Sequence, residues 1–368
     1  MLFASLSSEH TYASPARPRR GAAGPVAAAM LAATLAACTG SPPPAPPTPA
    51  RPPGAIATHA GPFQAGPVAP PPVGAWFGAW VKPDPITQAG RVAAIDSYER
   101  ELGRPLDIVH TYRRLDQDFG TESDRVFLDR GALLMVSWAA DDMRAIAAGR
   151  HDRRIRAFAR QVRGAGAPVL LRFRWEMDRP NLAEVVRSPE DYIAAWRHAR
   201  RIFAAERAGN VSWVWCPTAE GFRRGSAPAY YPGDDTVDWT CVDAYAGGTF
   251  RAPLDLLAPF LAWAATRPKP IIIGEYGVGR AWGRKARVAW LREAADLFRG
   301  NPQIKAVCYF ESDPAGNDAW RSFATLDEPE TLAAVADLAR HPWFTTAREW
   351  RADRRPRSQE GSPVGLEF

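Results

Sequence analysis

Glutamates and large aromatics stand at the ends of short apolar runs in this 368-residue chain. Glu176 follows Leu170-Leu171-Arg172-Phe173-Arg174-Trp175, Glu275 follows Ile271-Ile272-Ile273-Gly274, and Glu311 follows the run from Ile304 to Phe310. Trp80, Trp138, Trp215, Asp243 and Tyr245 end other runs. Two carboxyls across a cleft can do acid/base and nucleophilic work on a glycosidic bond, and aromatic faces cover pyranose rings. Either glutamate alone reads equally well as the partner of a rim arginine. Glu176 and Glu275 together, on the fourth and seventh runs, point to catalysis. Glu311 opens a loop with Ser312 and Asp313, which predicts a solvated or structural role. His110 and Tyr112, at the end of the second run, are placed to line one side of the cleft, although His110 equally suits a core position.

The runs that must carry these residues are Gly74–Trp80, Leu106–Thr111, Ala132–Trp138, Val169–Arg174, Val211–Cys216, Val237–Asp243, Ile271–Glu275 and Ile304–Phe310. Nearly continuous hydrophobicity suits parallel strands covered on both faces. Helical signals alternate with them. Ser188-Pro189-Glu190-Asp191 supplies an N-cap, a proline at the first helical position and acidic residues in the first turn. Ala89 to Leu102, Lys285 to Phe298 and Pro329 to Ala339 are also helical, and Asp141-Asp142 is placed to cap a helix. Eight strands alternating with helices predict a single (β/α)8 barrel over residues 74–345. A doubly wound sheet would normally bring a glycine-rich nucleotide loop, and none follows a strand.

Composition separates this body from its flanks. Prolines (35 in all) cluster near the N-terminus, whereas the 14 tryptophans lie beyond residue 75. Arg17, Arg19 and Arg20 precede an alanine-rich apolar stretch ending in Leu35-Ala36-Ala37-Cys38. Residues 1–38 therefore read as an export signal similar to a bacterial lipoprotein signal, with Cys38 as the lipidated residue. Residues 39–73, rich in Pro, Ala and Gly, predict a disordered tether, and residues 346–368 a polar tail. The net charge of +6 comes from arginines spread along the chain, with no basic run or nucleic-acid motif. Cys216, Cys241 and Cys308 match no zinc pattern and are expected as buried thiols, with a Cys216–Cys241 bridge as the alternative. No metal or cofactor is called for, and the protein is expected to be a monomer.

The motifs around the two glutamates resemble glycoside hydrolase family 26, the β-mannanase and mixed-linkage β-glucanase family. Arg172, Glu176 and Met177 match its acid/base motif, and Gly274-Glu275-Tyr276-Gly277 its nucleophile motif. Trp213 to Pro217 looks like its fifth strand. Tyr231 to Trp239 with Asp243-Ala244-Tyr245 resembles its sixth, Phe77 to Trp80 its first, and Trp320-Arg321 the pair after its eighth. The likeness covers about residues 74 to 340. It implies a retaining double displacement with Glu275 as nucleophile, Glu176 as acid/base and carboxyls about 5–5.5 Å apart. It further implies that Tyr245 holds Glu275, that Arg172 orients the pair, and that Trp80, Trp175, Trp215 and Trp320 contact sugar; a tryptophan equally suits a core position.

Departures from the family bear on the substrate. Trp175 stands where its mannanases keep histidine, Asp178 where they keep asparagine, and Arg179-Pro180-Asn181 replaces a tryptophan-rich run. The reading is hydrolysis of a β-mannan or β-glucan type polysaccharide. Arg174, Arg179, Arg223, Arg224, Arg280 and Arg284 follow strands on the catalytic side and raise the idea of an acidic exopolysaccharide. The alternative is a lipid-anchored carbohydrate-binding barrel without turnover. A metal-dependent hydrolase would need histidines at strand ends, and of six histidines only His110 is near one.

Overall fold

A computed structural model describes residues 57–313 and 318–344. Its eight strands are β1 (Trp76–Val81), β2 (Ile108–Arg114), β3 (Leu133–Ala139), β4 (Val169–Phe173), β5 (Val211–Trp215), β6 (Trp239–Ala246), β7 (Ile271–Val278) and β8 (Ile304–Glu311). They form a closed parallel barrel in sequence order, with β8 pairing back onto β1. This is the expected (β/α)8 architecture. Several strands run beyond their predicted ends, because pairing such as Asp243↔Glu275 and Tyr245↔Gly277 continues the β6–β7 ladder. β4 instead stops at Phe173, where the backbone leaves the strand.

Alternation within each strand sorts the side chains. Facing the helices, Trp138 stacks on Phe158 at 4.3 Å between ring centres, while Phe173, Trp196 and Trp213 pack edge-on or tilted. Facing inward, Leu133, Met135, Leu170, Val214, Ile272 and Ala306 fill the barrel. The helices that cover the wall are capped as their sequences suggest. Ser188 Oγ accepts from Asp191 N at 3.1 Å, and Asp142 Oδ1 accepts from Ala145 N at 3.1 Å.

The floor of the barrel comes from a segment expected to be tether. From residue 57 onward that expectation fails, because Ala65 and Val68 are buried in the barrel interior. Val68 N donates to Ser212 Oγ, Ser212 Oγ to the Ala65 carbonyl and Trp239 Nε1 to the Val68 carbonyl, each at 2.9 Å. Trp76 stacks on Trp239 above them. Proline and alanine composition said nothing of an apolar barrel end needing cover. The signal, Cys38, the start of the tether and the tail from 346 lie outside the described residues.

Glu311 belongs to the wall rather than the cleft. Its carboxylate accepts from Thr325 N at 2.6 Å, Thr325 Oγ1 at 2.7 Å and Leu326 N at 3.1 Å, pinning the loop after β8. Burial pushes its pKa up to about 7, against the pull of these hydrogen bonds. The folded state thus favours the protonated form, a contribution present below the ordinary glutamate range and lost as pH rises through about 7. Barrel stability should fall by up to about 3 kcal/mol over that window from this residue alone. Denaturant melts at pH 5 and pH 8 check it: Glu311→Gln should narrow the difference, and an unchanged difference would contradict the assignment.

Candidate active site

Arg172, the inward residue near the end of β4, is fully buried. Its Nη1 donates to Glu275 Oε1 at 2.9 Å and lies 3.2 Å from His110 Nε2, while Nη2 bonds Asp243 Oδ2. Burial works against the guanidinium charge, but Asp243 and Glu275 outweigh it and its pKa is raised. Asp243 is pushed well above the usual carboxylate range, by burial first and then by Glu275 and Glu176, with Arg172 opposing. Asp243 and Glu275 thus share one guanidinium, and the charge of Glu176 also reaches Asp243.

Glu275 is likewise buried. Tyr112 Oη donates to Oε1 and Tyr245 Oη to Oε2, each at 2.6 Å. Burial and then the Glu275 charge raise both phenol pKa values, so both remain donors throughout the working pH range. Simple alternation would not aim Glu275 inward. Ile272 faces the barrel interior while Ile271 and Ile273 face the helices, which puts the next inward position at Gly274. A register shift there pairs Val242 with Ile273 but Asp243 with Glu275, so Gly274 is a bulge that turns the glutamate inside. Only glycine fits, since a Cβ would lie 2.5 Å from Cys241 Sγ and 2.7 Å from Asp243 Oδ1.

The neighbouring sulfur belongs to a disulfide. Cys216 and Cys241 are bonded, and Cys308 is a buried free thiol. The expectation of three free thiols is corrected for the first two. Both project inward from adjacent strands or their ends, a closeness that sequence spacing does not reveal. Cys216, Cys241 and Asp243 also converge closely enough for a metal ion, but sulfurs bonded to each other are poor ligands.

Glu176 sits on the loop after β4, where Arg174 (φ 41°) and Glu176 (φ 53°) adopt backbone conformations rare for side-chain-bearing residues. The loop is tied on both sides: Arg174 N donates to the Trp138 carbonyl at 3.0 Å and Glu176 N to the Cys216 carbonyl at 2.7 Å. Arg179 Nη1 donates to Glu176 Oε2 at 2.6 Å and fixes its carboxyl. Asp178 turns away toward the β5 loop, accepting from Thr218 N at 3.0 Å and Thr218 Oγ1 at 2.5 Å. Burial pushes its pKa up to about 6 despite those bonds. Trp175 lies over Tyr112 at 5.2 Å in the wall of the mouth, and Trp80 meets Tyr112 edge-on at 4.8 Å.

No family-level sequence profile matches the chain. Endoglucanase H of Acetivibrio thermocellus is 31% identical over 288 residues, covering 72% of this chain and 30% of the relative. Beta-1,3-xylanase TXYA of a Vibrio species is 31% identical over 144 residues, 36% of this chain and 28% of that protein. The chain thus spans less than a third of the length of these curated relatives. Among solved structures, the catalytic domain of a family 26 endo-β-1,4-mannanase from Bacillus sp. JAMB-750 superposes with TM-score 0.58 at 15% identity, covering 76% of this chain and 89% of that one. A modular endo-β-1,4-mannanase from Cellulomonas fimi gives TM-score 0.58 at 16% identity, covering 75% and 72%. These likenesses establish a shared fold.

The tryptophans divide. Trp320 is 44% exposed on the rim, its ring 5.0 Å from Trp282. Trp215 does not reach the cleft, contrary to expectation. It faces the helices with no exposed surface, among Phe222, Tyr231 and Trp263, and its Nε1 donates to the Tyr230 carbonyl. The reason is alternation: Cys216 and Val214 point inward, so Trp215 and Trp213 point out. Trp215→Ala should cost about 3–5 kcal/mol of stability, and Trp320→Ala no more than about 1 kcal/mol. Denaturant midpoints of the two variants check this; comparable losses would contradict the division.

Proposed function

Because the barrel belongs to glycoside hydrolase family 26, we propose that this protein hydrolyses a β-linked polysaccharide by retaining double displacement, with Glu275 as nucleophile and Glu176 as acid/base. The observation that carries the reading is the setting of Glu275. A carboxylate buried to this degree and held by an arginine and two tyrosines is aimed by donors that complement an anion. It keeps a fixed position from which to attack.

In the first step Glu275 Oε attacks the anomeric carbon as the bond to the leaving sugar breaks, and the Glu176 proton passes to the departing oxygen. In the second, Glu176 takes a proton from water, the water oxygen attacks the same carbon and Glu275 leaves. Two inversions retain the configuration. Arg179 sets the rotamer of Glu176, and Arg172 with the tyrosines holds Glu275 against recoil. Trp80 and Trp175 in the mouth and Trp320 on the rim supply stacking surfaces.

Relatives and fold neighbours are named endoglucanase, beta-1,3-xylanase and endo-β-1,4-mannanase, which supports a neutral β-linked polymer as the backbone. Asp178 is spent on Thr218, which removes from sugar contact a position where the family's mannanases use asparagine. The site arginines are similarly occupied. Arg179 pairs with Glu176, Arg223 and Arg224 with Glu220, Arg280 with Asp327 and Arg284 with Glu330, while Arg174 is buried against Trp175, so none of the six is held ready for an acidic sugar.

The protein is further proposed to be exported and anchored through Cys38, acting as a monomer on polysaccharide and not on nucleic acid. The Cys216–Cys241 bond supports an oxidising compartment. Among the described residues no helix is long and apolar enough to cross a membrane.

Sugar release by the full chain from β-mannan, mixed-linkage β-glucan and β-1,3-xylan tests the proposal. One polymer should be cut, with the product anomer retained by NMR and no release by Glu176→Ala or Glu275→Ala. Tyr245→Phe, which removes one hydrogen bond to a charged group, should lower kcat/KM by roughly 10–100-fold without changing the melting transition greatly. Binding without release, or release that survives Glu275→Ala, would overturn the assignment.

A further inference from the structure

A groove separate from the cleft lies on the same face of the barrel. Trp282, directly after β7, forms one end, and the helices Arg284–Gly300 and Pro329–Arg340 form its sides through Lys285, Val288, Arg292 and Glu330. Both helices begin on the face to which the strands deliver Glu176 and Glu275. Trp282 is fixed by its Nε1 hydrogen bond to the Gly247 carbonyl and packs against Phe250 and Trp320, each at 5.0 Å. An aromatic surface therefore runs from the exposed Trp320 on the rim to the groove.

The charges of the groove differ from those of the rest of this face. Arg284 and Glu330 neutralise one another at 3.0 Å. Lys285 and Arg292 are exposed and, among the described residues, make neither ion pair nor hydrogen bond. Their separation of seven residues along a helix puts them two turns apart on one side, roughly 10 Å from each other. That is about the length of two pyranose units. Two free cations at this spacing, beside an apolar floor and an aromatic wall, match a β-linked polyuronate, in whose extended ribbon the carboxylates along one edge recur every second sugar with apolar ring faces between them.

We propose that this groove is a secondary binding site for an acidic β-linked polysaccharide, held by Lys285 and Arg292 and stacked at Trp282. It rests on the glycosidase reading only in giving that binding a purpose: it would hold the enzyme on a matrix containing uronates while the cleft cuts neutral stretches. The six arginines accounted for above, paired or buried, do not supply this affinity.

Affinity gel electrophoresis of the full chain in alginate, a β-linked polyuronate in part, tests the site, with β-mannan and mixed-linkage β-glucan gels as neutral controls. The wild type should be retarded by alginate, increasingly so at low salt. Lys285→Glu/Arg292→Glu should weaken that retardation by roughly tenfold or more, with an unchanged melting temperature and unchanged retardation by a neutral polymer. Equal retardation of variant and wild type, or no retardation of the wild type by alginate, would overturn the proposal. Because the readout is binding, loss of hydrolysis with alginate retardation intact would count against the catalytic reading alone. Hydrolysis without retardation that depends on Lys285 and Arg292 would count against the groove alone.

Discussion

A guanidinium buried inside a barrel needs compensating charge, and at Arg172 that charge comes from Asp243 and Glu275. An unpaired arginine there would cost several kcal/mol. The requirement brings three strands to a common point, because the partners stand on β6 and β7 and the arginine on β4. Remaining acceptor capacity on Glu275 is met by Tyr112 from β2 and Tyr245 from β6. The network couples half the barrel wall through hydrogen bonds, and it leaves the Glu275 carboxylate in a single orientation. Rigid placement of this kind is what a nucleophile needs and what a flexible loop does not supply.

Beneath the network, packing dictates chemistry as much as charge does. The Cys216–Cys241 bond occupies space that any side chain at position 274 would need. Glycine accepts the bulge, the bulge rotates the chain, and Glu275 reaches the interior. Glu176 is controlled differently. It stands on a loop with unusual backbone at Arg174 and Glu176, tied by main-chain bonds to β3 and to the end of β5 and by Arg179 to its own loop. The residue proposed as nucleophile is thus set by the barrel wall, and the one proposed as acid/base by a braced loop.

Much of this was legible in the sequence for a plain reason. Parallel strands covered on both faces are continuous apolar runs, and such runs mark β4, β7 and β8 directly. Arg172, Glu176 and Glu275 were legible because they sit at or near the ends of β4 and β7, and Tyr245 because it lies near the end of β6, all within recognisable motifs. Counting by twos from Val214 and Cys216 would also have turned Trp215 outward, and that signal was available. Other features depend on contacts between strands far apart in sequence. Tyr112 meets Glu275 across 163 positions, and Gly274 breaks the count by which Glu275 would be placed; the disulfide joins consecutive strands, so the sequence offered it as an alternative but could not fix that both cysteines point inward. The floor formed by Ala65 and Val68 hid behind a composition typical of linkers.

In the proposed reaction Glu275 forms a covalent bond to the anomeric carbon of the sugar. Incubating the full chain with 2-deoxy-2-fluoro-β-mannobiosyl and 2-deoxy-2-fluoro-β-cellobiosyl fluorides, then mapping peptides by mass, tests it directly. One of the two reagents should inactivate the enzyme and leave a single glycosyl group on Glu275. A label on Glu176 or Glu311, or turnover of the neutral polymer with inverted product and no label, would contradict the account.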